Sequence, residues 1–262
     1  MPPTLNPPEA VPPRLAPDPT PTSAIFDLVK VKICGITNMD DAEAAVSADV
    51  WAIGLNHSPE SPRLVDPVVA EEIGAAMKRR CEVAGVFVNQ HLDEVVEIAD
   101  RDSLTLVQLH GEAGPSFCAE VHRRTGCKVI KAFRVKSPAE INAARAYKTD
   151  FHLFDAYRRG AHGGTGASFD WDLVAGRRGG VPAIVAGGLN PDNVGDAIVA
   201  ANPWGVDVCS GVESSPGVKD HNLITSFTAA AGRAGEVQRA ERDRRRAMKQ
   251  VRRAVAYGRR SE

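Results

Sequence analysis

Apolar residues along this chain gather into eight short, β-branched runs, beginning near Val29, Val50, Val83, Leu104, Lys128, Asp150, Pro182 and Gly205. They read VKVKICG, VWAIGLN, VAGVFVN, LTLVQLHG, KVIKAF, DFHLFDAY, PAIVAGGL and GVDVCSGV. Runs apolar on both faces predict strands of a parallel sheet covered on both sides. Most gaps between them repeat apolar residues at i, i+3 and i+4, the spacing of an amphipathic helix. In the second gap this places Val69, Ile73, Ala76 and Met77 on one face. Helix starts are expected at Thr37 or Asn38, at Asp66 before Pro67, at Ser137 before Pro138, and at Asn190 before Pro191.

Strands alternating with helices at a step of about 25 residues leave an open doubly wound sheet or a closed (β/α)8 barrel. The count of eight and the even spacing favour the barrel. A dinucleotide-binding sheet would carry G-x-G-x-x-G after its first strand, and KICGITN does not supply it. The expected fold is therefore α/β, a single (β/α)8 TIM barrel over residues 29–232. Residues 1–28 form a proline-rich extension, with nine prolines before residue 25, too poor in large apolar side chains to pack and expected to be disordered. Residues 233–262 form a basic tail, helical or disordered, with eleven Lys/Arg against four Asp/Glu. Interspersed Glu236, Glu241 and Asp243 favour a solvated helix there over a nucleic-acid arm.

Composition narrows the class. A chain 43% hydrophobic and 25% charged can bury a full core without disulfide or metal staples. The net charge of −1 gives no chain-wide pull toward nucleic acid or membrane. No run approaches the ~20 apolar residues of a membrane helix, and the start lacks the basic-then-apolar pattern of a secretory signal. Five cysteines without paired spacing read as reduced thiols, which places the chain in the cytoplasm.

In a barrel the chemistry sits at the C-terminal strand ends. That rule selects Cys34, the loop bearing His57 and Arg63, Gln108 and His110, Asp155, Gly187–Gly188 and Ser210–Gly211. Cys34 at a strand end is a candidate base, nucleophile or ligand, or a small buried apolar residue. Cys81, Cys118, Cys127 and Cys209 read as such buried residues. Asp155 is a candidate general acid or base, or a loop cap. Arg63 can fork onto a carboxylate or phosphate, or be solvated. Gln108 and His110 share one strand face, as core polar groups or site residues. Three glycine-rich stretches, at 163–166, 186–190 and 209–217, allow backbone N–H groups to approach an anion and favour a phosphorylated ligand. The histidines and cysteines show no metal-ligand spacing, so no metal is expected.

VKICGIT at 31–37, SPR at 61–63, GVFVN at 85–89 and VQLHG at 107–111 are similar, in that order, to phosphoribosylanthranilate isomerase. So are FDAY at 154–157, GGTG at 163–166, FDW at 169–171, AGGLNPDNV at 186–194 and GVDVCSGVESSPGVKD at 205–220. The resemblance covers about residues 29–232. It implies a (β/α)8 enzyme of tryptophan biosynthesis, converting N-(5-phosphoribosyl)anthranilate to 1-(2-carboxyphenylamino)-1-deoxyribulose 5-phosphate by an Amadori rearrangement. It further implies Cys34 as general base, Asp155 as general acid and Arg63 on the anthranilate carboxylate. Gly164, Gly188, Ser210 and Gly211 would hold the phosphate. The rearrangement has no redox step and needs no cofactor. Its partner is the small phosphorylated substrate, with no nucleic acid and no membrane, on a monomer or homodimer. LNHSPESPR departs from the more aromatic strand-2 ending of the family, and Cys209 stands where serine is frequent.

The nearest rival is the histidine-pathway isomerase, which runs the same rearrangement on a larger bis-phosphate. That family uses aspartates after strands 1 and 5, where this chain has Cys34 and AFRV. A non-catalytic phosphosugar-binding scaffold is the rival of a different class, and retention of both Cys34 and Asp155 weighs against it.

Overall fold

Each of the eight apolar runs becomes a parallel strand. Our computed structural model describes residues 29–155, 171–177 and 180–258. The strands are β1 Lys30–Cys34, β2 Ala52–Asn56, β3 Glu82–Val88, β4 Leu106–His110, β5 Lys128–Arg134, β6 Phe151–Asp155, β7 Ala183–Ala186 and β8 Gly205–Val208. They pair in sequence order, and β8 returns to pair with β1, closing the barrel. The expected (β/α)8 architecture is the one observed.

The double-sided hydrophobicity of the runs follows from two cores. Alternate residues such as Ala52, Ala84, Leu106, Ile130, Leu153 and Ile184 fill the interior. Their neighbours, among them Ile53, Val83, Val107 and Val129, pack against the helices. Trp51, Phe151 and Trp204 seal the N-terminal end, with ring centroids 4.7–5.2 Å apart. Toward the C-terminal end the interior turns polar, with Lys32, Gln108 and Asp207 buried there.

Between the strands run α1 Met39–Ser47, α2 Pro67–Met77, α3 Leu92–Arg101, α4 Pro115–Thr125, α5 Pro138–Ala143, α6 Asp172–Ala175 and α7 Val194–Ala201. The final helix, α8 His221–Gly258, runs unbroken from the barrel wall into the basic tail. Among the described residues no helix is long and apolar enough to cross a membrane.

Caps largely fall where the polar residues predict. Asn38, rather than Thr37, caps α1, accepting from the Asp41 amide. Asp66 accepts from the amides of Val68 and Val69. Ser137 and Glu140 form a reciprocal capping box. Two expectations are corrected. Asn190 does not start α7; its side chain accepts from Asp192 and Asn193 in a separate turn, and the helix begins at Val194. The buried face of α2 is Ala70, Ile73, Gly74 and Met77, with Ala76 exposed. Gly74 faces inward, close against Asp102, where a Cβ would strike the Asp102 carbonyl, so the position takes glycine.

Candidate active site

The C-terminal ends of β1 and β8 bring four polar side chains together. Cys34 ends β1, and Lys32 two residues earlier shares its inward face. Lys32 is fully buried, with Nζ 2.8 Å from Oδ1 of Asp207, its partner on the adjacent rung of β8. Burial alone would lower the lysine pKa, yet Asp207 and Cys34 outweigh that and raise it, so Lys32 is an ammonium. Nζ of Lys32 and Sγ of Cys34 meet over Gly54 of β2: a Cβ on that glycine would lie 3.0 Å from one and 2.9 Å from the other.

This setting acidifies Cys34. A hydrogen bond from the Cys209 thiol and the charge of Lys32 outweigh burial and Asp207, bringing its pKa from 9.0 to about 7. The same hydrogen bond, with burial, pushes Cys209 upward. Cys34 therefore ionises first, and Cys209 keeps its proton, with Glu213 Oε1 3.8 Å from its Sγ. Cys209, which reads in sequence as an ordinary buried thiol, belongs to the site.

A second cluster sits on the loop after β8. Arg63 forks onto Glu213, with Nε 2.8 Å from Oε1 and Nη2 2.6 Å from Oε2. Lys219 Nζ reaches the same Oε1 at 3.0 Å and the Cys209 carbonyl at 3.1 Å. Burial would raise the Glu213 carboxyl, but the Arg63 and Lys219 hydrogen bonds hold it down at about 2. One edge of Arg63 is thus committed within the protein, and the remaining N–H groups are its donors for other acceptors. Glu213 comes from β9 Glu213–Ser215, a short strand paired with β10 Val218–Lys219.

Asp155 ends β6, three strands from β1 around the barrel, half-buried, with Arg134 of β5 and Ala186 of β7 on its two flanks. The loop after it, including Gly164, lies outside the described residues. Gln108 Nε2 and His110 Nε2 are 2.8 Å apart on the inner face of β4. Burial, with Lys32, Lys131 and Arg134, drives His110 down to about 4, so its ring is neutral near pH 7. His57 is not at the mouth. It stacks on Phe87, 5.2 Å between centroids, and lies 3.4 Å from buried Asp102, in the layer between strands and helices.

The loops after β7 and β8 carry the remaining glycines. Gly188 has φ +67°, is exposed, and has no atom within 4 Å of where a Cβ would stand. Ser210 and Gly211 open a single turn of 3-10 helix. A Cβ on Gly211 would collide with the Leu189 carbonyl, so glycine is what lets the two loops touch. Among the described residues no group of three or more His, Cys, Asp or Glu is placed to hold a metal ion.

Sequence reasoning missed Lys32, Asp207, Glu213 and Lys219. The one available signal was charge inside otherwise apolar runs, VKVKIC and GVDVC, where Lys32 and Asp207 interrupt a buried strand.

Ionisable side chains gathered at the C-terminal mouth of a closed parallel barrel define a (β/α)8-barrel enzyme. Residues 31–230 match the family model described as N-(5'phosphoribosyl)anthranilate (PRA) isomerase. N-(5'-phosphoribosyl)anthranilate isomerase of Geobacter metallireducens is 45% identical over 204 residues, covering 78% of this chain and 99% of that protein. The crystal structure of phosphoribosyl anthranilate isomerase from Thermotoga maritima superposes with TM-score 0.70 at 37% identity, over 78% of this chain and 98% of that one. A crystal structure of the isomerase in complex with reduced 1-(o-carboxyphenylamino)-1-deoxyribulose 5-phosphate gives 0.68 at 35% identity, with the same coverage. The chain belongs to the phosphoribosylanthranilate isomerase family.

Proposed function

We propose that this protein isomerises N-(5'-phosphoribosyl)anthranilate to 1-(o-carboxyphenylamino)-1-deoxyribulose 5-phosphate, with Cys34 as general base and Asp155 as general acid. The observation that carries the roles is the acidified thiol of Cys34, facing inward at the end of β1 beside the Lys32 ammonium. Asp155, at the end of β6, stands across the mouth from it. Acid and base must flank the sugar, and strands three places apart can do that.

Asp155 protonates the ring oxygen while the anilino nitrogen lone pair opens the furanose to a Schiff base. The Cys34 thiolate then takes the C2 proton, and those electrons neutralise the Schiff-base nitrogen to give an enolamine. The enolamine tautomerises to the ketone. Electrons only move within the substrate, so the chemistry calls for no redox partner.

Anchoring fixes the substrate's two ends so that the reacting carbon meets the base. Arg63 takes the anthranilate carboxylate with the donors that Glu213 leaves over. Gly164, Gly188, Ser210 and Gly211 take the phosphate through backbone N–H groups, the usual arrangement of loops after strands 7 and 8.

The test is direct turnover of N-(5'-phosphoribosyl)anthranilate by the purified chain, followed as decay of anthranilate fluorescence. Folded protein without turnover would overturn the reading. Cys34→Ser and Asp155→Asn should each lose ~10²–10⁴-fold in kcat, and near-normal kcat in both would remove the assigned roles.

A further inference from the structure

We propose that Cys34 and Cys209 form an oxidisable dithiol, closed to a disulfide by a hydroperoxide and reopened by thiol reductants. Barrel closure places the two residues. The last paired rungs of β1 and β8 are Lys32 with Asp207 and Ile33 with Val208, so the next sets Cys34 opposite Cys209. Adjacent strands run about 4.8 Å apart, inside the about 4.4–6.8 Å Cα separation a disulfide spans. Lys32 and Asp207 point inward and bond at 2.8 Å. Two residues beyond Lys32, Cys34 ends β1 on the same inward face, and Cys209 directly follows the last residue of β8. Each thiol shifts the other's ionisation, Cys34 down and Cys209 up. Sγ of Cys209 also lies 2.9 Å from the Cβ position of Gly35, against the backbone that directly follows Cys34.

The surroundings favour reaction here over the other three thiols. Lys32 faces Cys34 from β1 itself, Arg63 acts on it from the loop after β2, and Asp207 opposes them from β8. Lys219 Nζ lies 3.9 Å from Sγ of Cys209, with Glu213 Oε1 at 3.8 Å. Burial pushes Cys81 up to about 11 and raises Cys118 and Cys127 too, which leaves them little thiolate.

The chemistry balances with a hydroperoxide as oxidant. The Cys34 thiolate attacks one peroxide oxygen, the O–O bond breaks, and hydroxide or alkoxide leaves. Cys34 is then a sulfenic acid. The Cys209 thiol gives up its proton, attacks that sulfur and expels the oxygen as water. Two sulfurs lose two electrons in total and one peroxide gains them. The disulfide leaves no thiolate at the end of β1. Its effect on turnover rests on Cys34 being the base, whereas the cross-link itself does not.

The experiment treats the full-length chain with hydrogen peroxide and counts thiols in denaturant. The five cysteines should titrate as three, with peptide mapping joining Cys34 to Cys209 and activity falling in step. Dithiothreitol should restore both thiols and turnover. In Cys209→Ser the same dose should give a dimedone-trapped sulfenic acid at Cys34 and no cross-link. Five thiols remaining, or an oxidised Cys34 beside a free Cys209, would overturn the proposal. A cross-linked chain with full turnover would leave the oxidation site standing and sink Cys34 as the base.

Discussion

Cys34 works at the residue scale because its neighbours hold a charge that burial opposes. If the Cys34 thiolate is the base, as proposed, kcat/KM should rise with pH through about 7 as Cys34 loses its proton. A profile flat from pH 6 to 9 would argue against a thiolate base. Lys32 should matter for stability as well. Lys32→Met strands Asp207 as a buried, unpaired carboxylate, and breaking such a pair costs about 3–5 kcal/mol. Urea unfolding measures it, and an unchanged midpoint would show that water reaches Asp207. Arg63→Ala should mainly raise KM, since the carboxylate it would hold is present in ground and transition states alike. The loss is about 2–5 kcal/mol if the pair is desolvated. Lys219 remains to neutralise Glu213 in that variant, so an unchanged KM would point away from the carboxylate assignment.

Single elements owe their positions to local chemistry that can be removed separately. Asp66 closes the first turn of α2 with two amide hydrogen bonds. Asp66→Ala should lower stability by about 1 kcal/mol and leave turnover unchanged, as paired denaturation and rate measurements would show. The loops after β7 and β8 meet where Gly211 lies against the Leu189 carbonyl. Gly211→Ala must push the chain away from the Leu189 carbonyl. Overpacking of that kind costs about 1–3 kcal/mol, and it should raise KM more than it lowers kcat, because the displaced groups are the proposed phosphate anchors. Equal KM in wild type and variant would place the phosphate elsewhere.

For the whole molecule, the question is where the enzyme ends. The family match stops at residue 230, while 78% of this chain covers 99% of the Geobacter metallireducens relative. We propose that both termini lie outside the working enzyme. Removing residues 1–26, which precede the family match, should leave kcat/KM within about twofold. At the other end the boundary is set by contacts. Ala234 is buried, and Gln238 is buried with its amide bonded to the Ile198 carbonyl on α7. Truncation after Gln238 should therefore spare activity, whereas truncation after Arg233 should lower the melting temperature. Identical melting curves for the two truncations would show that the wall needs neither contact.

Much of this protein was legible along the chain because the relevant forces are local. Strand starts near Val83, Lys128 and Gly205 follow from β-branched runs, and the caps at Asp66 and Ser137 follow from side chains reaching their own next amides. Glycine positions and motif order pointed to the loops of the mouth. Periodicity was less reliable on α2, where Gly74, invisible in a hydropathy pattern, is buried against the Asp102 backbone and Ala76 is exposed. Three partnerships could be decided only in three dimensions: Lys32 with Asp207, Arg63 with Glu213, and Cys34 with Cys209. Each joins residues more than a hundred positions apart, and all three gather where β8 closes onto β1. A single run of sequence shows that a residue can carry charge; closure of the barrel decides which opposite charge or donor will face it.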